Sequence, residues 1–498
     1  MTDAWAPDME GGLSRPKANN VARYAPVVAG LLLLLATIRI WDYVCESPGQ
    51  EWNDVKLRAS FLIADGLPLY PGIDFGPITT WMYGPVFPLI MLPTSLFASL
   101  DNALLCAAFI NVGMLITAIA FTCLGWPSSS NENWSGCARL CGVALSLLLL
   151  PEYHLVFLLP DNAALSFGLI SITALARANA THRKCWWFLA AGCAGAAAFS
   201  KLHGAFVIVA ELGWIWHQCN RGQMFRFARQ LAIVIASMLV VTCMVSSSPK
   251  AAWEMSIMIP SRLPFTHDWG QRLSELMPYY FLMVVVPGTF VFWSARFCRA
   301  CFATYSLPAY VWLASLPFGL ASSFTWGGAQ NSLHGGFYLL PLMLTGFTAQ
   351  ILKPAKSGNF FSHFVIIGGL SILLFIQWRT VADFPKKPQV AMPLEAVALS
   401  RQLGERLWIP WRPLATRFAI GRHLNDEDGL YVRQLTGLFP GKKHVDAYVP
   451  TAWDTTLFQV NGMNWDVALH MRGEPHLETI NHWVVVTYPT PFTSVQNK

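Results

Sequence analysis

The feature that most limits how this chain can fold is a series of apolar runs, each about as long as a bilayer is thick. A hydrocarbon layer of roughly 30 Å takes a helix of about 20 apolar residues. Such runs recur between residues 24 and 377, with short polar connections between them. Inside a bilayer every backbone N–H and C=O must find its partner within the segment, so the runs are read as helices. Only 12% of the 498 residues are charged, half of the roughly 25% usual in soluble domains. The chain is therefore expected to be an all-α polytopic membrane domain; an ordinary soluble enzyme, a disordered chain and a collagen-like chain are excluded.

Runs at 24–41, 103–125, 139–158, 163–178, 186–200, 202–217, 231–247, 279–295, 306–325, 336–352 and 360–377 predict about eleven spans. The stretch 81–98 is equally apolar but contains Pro85, Pro88 and Pro93. Each proline removes a backbone donor and kinks a helix at a cost of roughly 3 kcal/mol, so this stretch is read as a short juxtamembrane helix. The resulting parity puts four basic clusters on the side of the N-terminus: Arg177, Arg183 and Lys184; Arg221, Arg226 and Arg229; Arg296 and Arg299; Lys353 and Lys356. By the positive-inside rule that side is cytoplasmic. Residues 1–23 are then a cytoplasmic tail, and the first run is a retained helix rather than a cleavable signal. Residues 24–377 form the transmembrane domain, with a first outer loop at 42–102. The net charge of 34 − 28 = +6 reflects this topology and does not call for nucleic acid. Arg39, near the outer end of the first run, is expected to snorkel to the headgroups.

The part at 378–498 has no span and is rich in charge. It holds the strand-like run His482-Trp483-Val484-Val485-Val486-Thr487-Tyr488 and the turn-rich run 425–429. It is expected to be a small mixed α/β domain outside the membrane. The eleven cysteines show no zinc pattern, since Cys298 and Cys301 lack a second pair, and are read as small apolar fillers.

Polar groups among such runs are costly and mark function. In Glu51-Trp52-Asn53-Asp54, a carboxylate at the membrane surface could act as a general base or metal ligand. The alternative is a helix start, with Asn53 or Asp54 as the N-cap of a helix over 55–65. Asp161, close to Glu152 and His154, is either a second carboxylate facing the same cavity or an N-cap. Lys201 and His203 sit in a tight turn, where a lysine binds phosphate as a point charge or simply snorkels. The run 327–336, with Asn331 and His334 between paired glycines, is either an anion-binding turn at a helix start or a plain loop. Arg262, His267 and Arg272 offer further polar and cationic groups. Under one topology all of these fall on the outer face.

Two further stretches carry a resemblance. Ala64-Asp65-Gly66-Leu67-Pro68-Leu69-Tyr70 is followed by Tyr83-Gly84-Pro85-Val86-Phe87-Pro88, and this order resembles the multi-span glycosyltransferases of the GT-C class that use polyprenyl-phosphate sugars. Asp54 stands at the family's loop acid, Gly66 and Tyr70 at the next pair, and Tyr83-Gly84-Pro85 at the opening of its juxtamembrane helix. Asp161 matches the second-loop Asp, Ser200-Lys201 a lysine turn, and Asn331 to Pro341 a later turn. Trp408-Ile409-Pro410, with Gly421 and 426–429, looks like the tail of bacterial members. Two departures stand out. Asp54 is followed by Val55, so its partner acid is Glu51, and no Arg precedes Asp161.

The resemblance implies transfer of a sugar from a polyprenyl-phosphate carrier to a glycan, lipid or protein acceptor on the outer face of a bacterial inner membrane. Asp54, with Glu51 and Asp161, would be catalytic, and Asp54 the general base. Lys201, His203, Tyr83, Arg262, His267, Arg272, Asn331 and His334 would bind substrate. No cofactor is implied beyond a divalent metal, which stays open. Two other classes compete with this reading: a transporter or lipid flippase, and an oligosaccharide polymerase or ligase using a diphosphate-linked donor.

Overall fold

A computed structural model describes residues 20–79, 81–127, 135–219, 221–266, 268–297, 299–326, 328, 330–352, 392–459, 467, 475–480 and 483–488. Its first helices are α1 (Asn20–Glu46), α2 (Glu51–Ala64) and α3 (Val86–Met91). A bundle follows: α4 (Leu100–Gly125), α5 (Gly136–Leu149), α6 (Glu152–Val156), α7 (Pro160–Thr181), α8 (Lys184–Ser200), α9 (Ala205–Gln218) and α10 (Arg221–Met244). Short helices α11 (Pro249–Trp253) and α12 (Ile259–Ser261) lead into α13 (Trp269–Tyr280), α14 (Val286–Phe297), α15 (Arg299–Ser323) and α16 (Leu340–Leu352). Beyond residue 391 come α17 (Met392–Leu403), α18 (Pro413–Ile420), α19 (Glu427–Leu435) and α20 (Lys442–Ala447).

Among the described residues six segments are long and apolar enough to cross a membrane: Tyr24–Gly49, Leu100–Gly125, Pro160–Thr181, Arg221–Met244, Trp269–Arg296 and Ser332–Leu352. The chain is an integral membrane protein. The other expected spans fall on helices whose length or composition does not by itself mark a crossing. Helices α5, α8 and α9 have 14, 17 and 14 residues, fewer than the roughly 20 of a full crossing. Helix α15 runs through Pro308 and Pro317 and at 25 residues has the length of a crossing, and 360–377 lies outside the described residues. The proline-rich stretch forms α3 and a 3-10 turn at Leu92–Leu96. Together these are too short to cross.

The outward faces are apolar, as lipid contact requires. Leu31, Leu34 and Leu35 of α1 are each more than half exposed. Inside the bundle lipid supplies no hydrophobic drive, so close packing of small residues holds helices together. Helices α7 and α8 pack in this way, through fully buried Ala174, Ala178, Ala190, Ala191 and Ala194. Helix ends inside the bundle need donors for their last carbonyls. Arg39 supplies them to the end of α5, reaching the carbonyls of Leu147 at 3.0 Å, Leu148 at 2.7 Å and Leu150 at 2.8 Å. The expected snorkelling arginine is thus a helix cap, because α5 stops beside it. Arg139 does the same for the end of α4, at the carbonyls of Cys123 and Leu124.

The segment after residue 391 contains a four-stranded sheet in the order β1-β2-β4-β3, with β1 (Leu407–Trp408), β2 (Thr455–Gln459), β3 (His476–Ile480) and β4 (Trp483–Thr487). Strand β1 is parallel to β2, and β4 is antiparallel to both β2 and β3, with Thr456 opposite Val486. The run 425–429, expected as a turn, opens a helix instead. The Asp426 carboxylate accepts the Gly429 N–H at 2.6 Å and so N-caps α19.

Helix α2 joins the two parts of the chain. Its Leu57 and Phe61 share a core with Leu414 and Ala415 of α18, and Phe61 meets Phe418 edge-on at 5.4 Å. Arg58 pairs with Asp426 at 2.9 Å, both side chains 1% exposed. Arg417 and His423 bind Asp65 at the end of α2, at 2.7 and 2.8 Å. Arg412 donates to the carbonyl of Gly49 at 2.7 Å.

Removing one member of a buried ion pair strands the other and costs about 3–5 kcal/mol. Arg58→Met is therefore expected to lower the unfolding midpoint of the purified protein sharply. Arg58→Met with Asp426→Asn, which removes both charges and keeps an acceptor for the Gly429 N–H, is expected to recover most of that loss, as thermal unfolding in detergent will show.

Candidate functional site

A cavity of about 500 Å³ lies where α2, the turn after α8, the end of α15 and helix α19 converge. Its lining is mostly apolar, with Leu202, Leu263, Pro317 and Phe318 among the side chains. Two lysines stand out on its wall.

Lys56 comes from α2. Residues four apart share one face of a helix, so α2 has two different polar faces. Asp54 and Arg58 face the C-terminal segment, while Trp52 and Lys56 face the cavity. The Lys56 ammonium lies 4.5 Å from the Trp52 ring centre and 5.2 Å from that of Tyr83. It pairs with Asp428 at 3.5 Å, each side chain 2% exposed. Lys201 follows α8. Its ammonium is 5.6 Å from the same Tyr83 ring and 2.7 Å from Asp161. Two lysine–aspartate pairs therefore flank a single tyrosine.

The resembling motifs explain why Tyr83 sits there. Gly66 ends α2 with φ +74°, a left-handed conformation suited to glycine. Four residues after Gly66, Tyr70 is fully buried, and its hydroxyl donates to the Tyr83 carbonyl at 2.5 Å. A Cβ on Gly84 would overlap the Phe199 carbonyl, so only glycine lets this turn press on the end of α8 beside Lys201. Burial pushes the Tyr83 hydroxyl up to about 12, which keeps it a neutral donor.

Of the expected residues, Lys201, His203 and Tyr83 line the cavity. Among the described residues His203 Nδ1 has no hydrogen-bond partner. Asp161 does not line the cavity. It backs Lys201 and lies 3.7 Å from His334. Nor is it an N-cap, since Leu159 holds that position and Pro160 begins α7. From the run 327–336, Gly328 and Ser332 reach the wall, and residues from Gln330 on form a 3-10 helix. Arg262 does not line the cavity. Arg272 turns to Glu275 at 3.3 Å and to the carbonyls of Ser323 and Gly328. His267 lies outside the described residues, as does the side chain of Asn331.

Asp54 and Glu51 do not line the cavity either. Helix α2 starts at Glu51 with Gln50 as its N-cap, so neither Asn53 nor Asp54 caps it. Asn53 instead ties α2 to the connection before α7, donating to the Val156 carbonyl at 2.8 Å and accepting from Leu158 N–H at 2.7 Å. Asp54 is fully buried and accepts the Leu414 N–H, in the first turn of α18, at 2.8 Å. It caps a helix 360 residues away in sequence, which no local pattern reveals. Burial pushes its carboxyl up to about 7, against the pull of the Arg412 guanidinium.

Lys56 and Asp428 were missed as site residues. The available signal for Lys56 was its spacing from Trp52, which puts an aromatic ring and an ammonium on one helical face. Among the described residues no group of three or more His, Cys, Asp or Glu side chains is placed to hold a metal ion.

No family model and no curated protein matches the sequence. Solved structures do resemble it. The crystal structure of ArnT from Cupriavidus metallidurans bound to undecaprenyl phosphate superposes with a TM-score of 0.52 at 11% identity, over 93% of this chain and 98% of that one. The apo structure of the same protein gives 0.56 at 12% identity, with the same coverage. The fold is GT-C-like.

Folded Asp54 keeps its proton up to about pH 7, whereas an unfolded aspartate releases it near 3.8. Between these values the folded state holds the extra proton. The stability contributed by this group is therefore full below the unfolded value and falls as pH rises towards 7. Asp54→Asn keeps the acceptor for Leu414 N–H and removes the titration. Wild type is expected to lose thermal stability relative to this variant between about pH 4 and 7; parallel melting curves across that window would count against the assignment.

Proposed function

We propose that this protein is an integral membrane glycosyltransferase that takes a sugar from a polyprenyl-phosphate carrier and passes it to an acceptor on the outer face of the membrane. The observation that carries the reading is the pair of lysines, Lys56 and Lys201, on either side of Tyr83 in a largely apolar cavity. A phosphate at a lipid end needs this combination of apolar wall for the chain and concentrated positive charge for the head. The likeness to an ArnT structure that holds undecaprenyl phosphate supports the same ligand class.

In this reading the two ammonium groups bind the donor phosphate and stabilise the charge that builds on it as the anomeric C–O bond breaks. His203 and the Tyr83 hydroxyl add donors. Glu51, Asp54 and Arg272 serve the scaffold around the cavity, and Asp161 holds Lys201 in place. The arrangement in the membrane belongs to the proposal too: about eleven crossings within 24–377, with the N-terminus inside and residues 378–498 outside. A bacterial inner membrane is the proposed location.

A hydrogen bond to a charged group contributes about 1.5–3 kcal/mol, which corresponds to roughly 10- to 100-fold in affinity per lysine. Native mass spectrometry of the detergent-purified protein with added undecaprenyl phosphate is expected to show a one-to-one adduct. The adduct is expected to weaken by that factor in Lys201→Met and to vanish in Lys56→Met with Lys201→Met. Binding of bulk phospholipid alone by wild type would overturn the reading. A tightly held diphosphate-linked oligosaccharide would turn it towards a polymerase or ligase.

A further inference from the structure

We infer that the carboxylate serving the acceptor comes from the segment after the membrane part of the chain: Asp428 of α19, not an acid of the first outer loop. The inference rests on the transferase reading above and deepens it.

The geometry points there in three ways. First, α19 presents a whole face to the cavity. Asp428, Tyr431, Val432 and Leu435 all line it, and their i, i+3, i+4, i+7 spacing is one stripe of a helix. Second, among the acids weighed above, Asp428 is the one on the cavity wall. Asp54 is taken up by α18, and Asp161 stands behind Lys201. Third, the position of Asp428 is built rather than incidental. The Asp426 side chain caps α19, and Ile78 N–H donates to Asn425 Oδ1 at 2.8 Å while Asp426 N–H donates to the Ile78 carbonyl at 3.1 Å. A Cβ on Gly429 would come within 2.7 Å of Thr79 backbone, so the close approach of α19 to the first outer loop depends on glycine there.

The ion pair with Lys56 gives the carboxylate a donor-dependent role. The Lys56 ammonium lies 3.5 Å from Asp428 and is a counter-charge to it. When Lys56 turns to the donor phosphate, Asp428 loses its counter-charge and becomes more basic. It then takes the proton of the acceptor hydroxyl. The acceptor oxygen forms the new bond to the anomeric carbon, the bond from that carbon to the phosphate oxygen breaks, and the electron pair leaves with polyprenyl phosphate. The proton stays on Asp428 until product departs.

The test uses the full-length protein in detergent with a panel of undecaprenyl-phosphate hexoses, pentoses and amino sugars, following release of undecaprenyl phosphate in the presence of membrane-extracted acceptors. Asp428→Asn is expected to lower turnover by about 10²–10⁴-fold while still binding undecaprenyl phosphate by native mass spectrometry, which also shows that the variant folds. Asp428→Glu is expected to restore part of the rate. The acid limb of the wild-type pH profile is expected to be absent from the residual activity of Asp428→Asn, a change that a purely structural role would not produce. Asp54→Asn is expected to turn over within about threefold of wild type, below the range that loss of a general base produces. Wild-type turnover matched by Asp428→Asn overturns this inference and leaves the transferase reading standing. A wild type that releases nothing from any donor overturns the transferase reading itself, and this inference with it.

Discussion

The structure depends on how α2 is held. This helix lies between the membrane bundle and the segment after residue 391, and it carries charge into a dry contact with that segment. Arg58 with Asp426, and Asp54 with the N–H of Leu414, are buried arrangements that add little net stability over well-packed apolar groups. Leaving any one of them unmatched costs several kcal/mol, roughly 3–5 for an ion pair. They therefore select one docking register. Because Lys56 is one position from Val55 and two from both Asp54 and Arg58, that register alone decides where its ammonium goes.

From that register the cavity follows. An unpaired ammonium is too costly to bury in an apolar wall, so Lys56 and Lys201 each need a counter-ion, and Asp428 and Asp161 provide one. The two pairs arrive from four separate elements: α2, α19, the turn after α8 and the start of α7. Tyr83 stands between them because Tyr70 holds its carbonyl and Gly84 permits contact with the end of α8. The short motifs that carried the family resemblance thus act as scaffolding for one ring. Their glycines and buried tyrosine hold shape; of the two charge pairs, Lys201 with Asp161 lies at positions the resemblance matched, and Lys56 with Asp428 lies outside it.

Much of the architecture was legible in the residues. Apolar length and scarce charge marked the membrane class, and three prolines marked 81–98 as too broken to cross. A lysine between two apolar runs marked Lys201. Each of these signals is local, and each reflects what lipid does to an isolated stretch of chain. Arg39 shows the limit: a basic residue near a helix end is compatible with headgroup contact or with capping, and only the end of α5 beside it decides. Asn425 to Gly429 read as a turn because the same Asx chemistry serves turns and helix starts.

What the sequence determined by itself is therefore the class of fold, the stretches that belong in or on a membrane, and the polar residue types that stand out between apolar runs. Tertiary structure alone decided which acid belongs to which partner. Asp54 and Asp428 are both aspartates near the start of a helix and carry no local mark to tell them apart. One meets the N-terminus of α18 and the other meets Lys56, because docking brings together chain segments more than 350 residues apart. The physical reason is that lipid and helix geometry act within a segment, whereas buried charges are matched across segments.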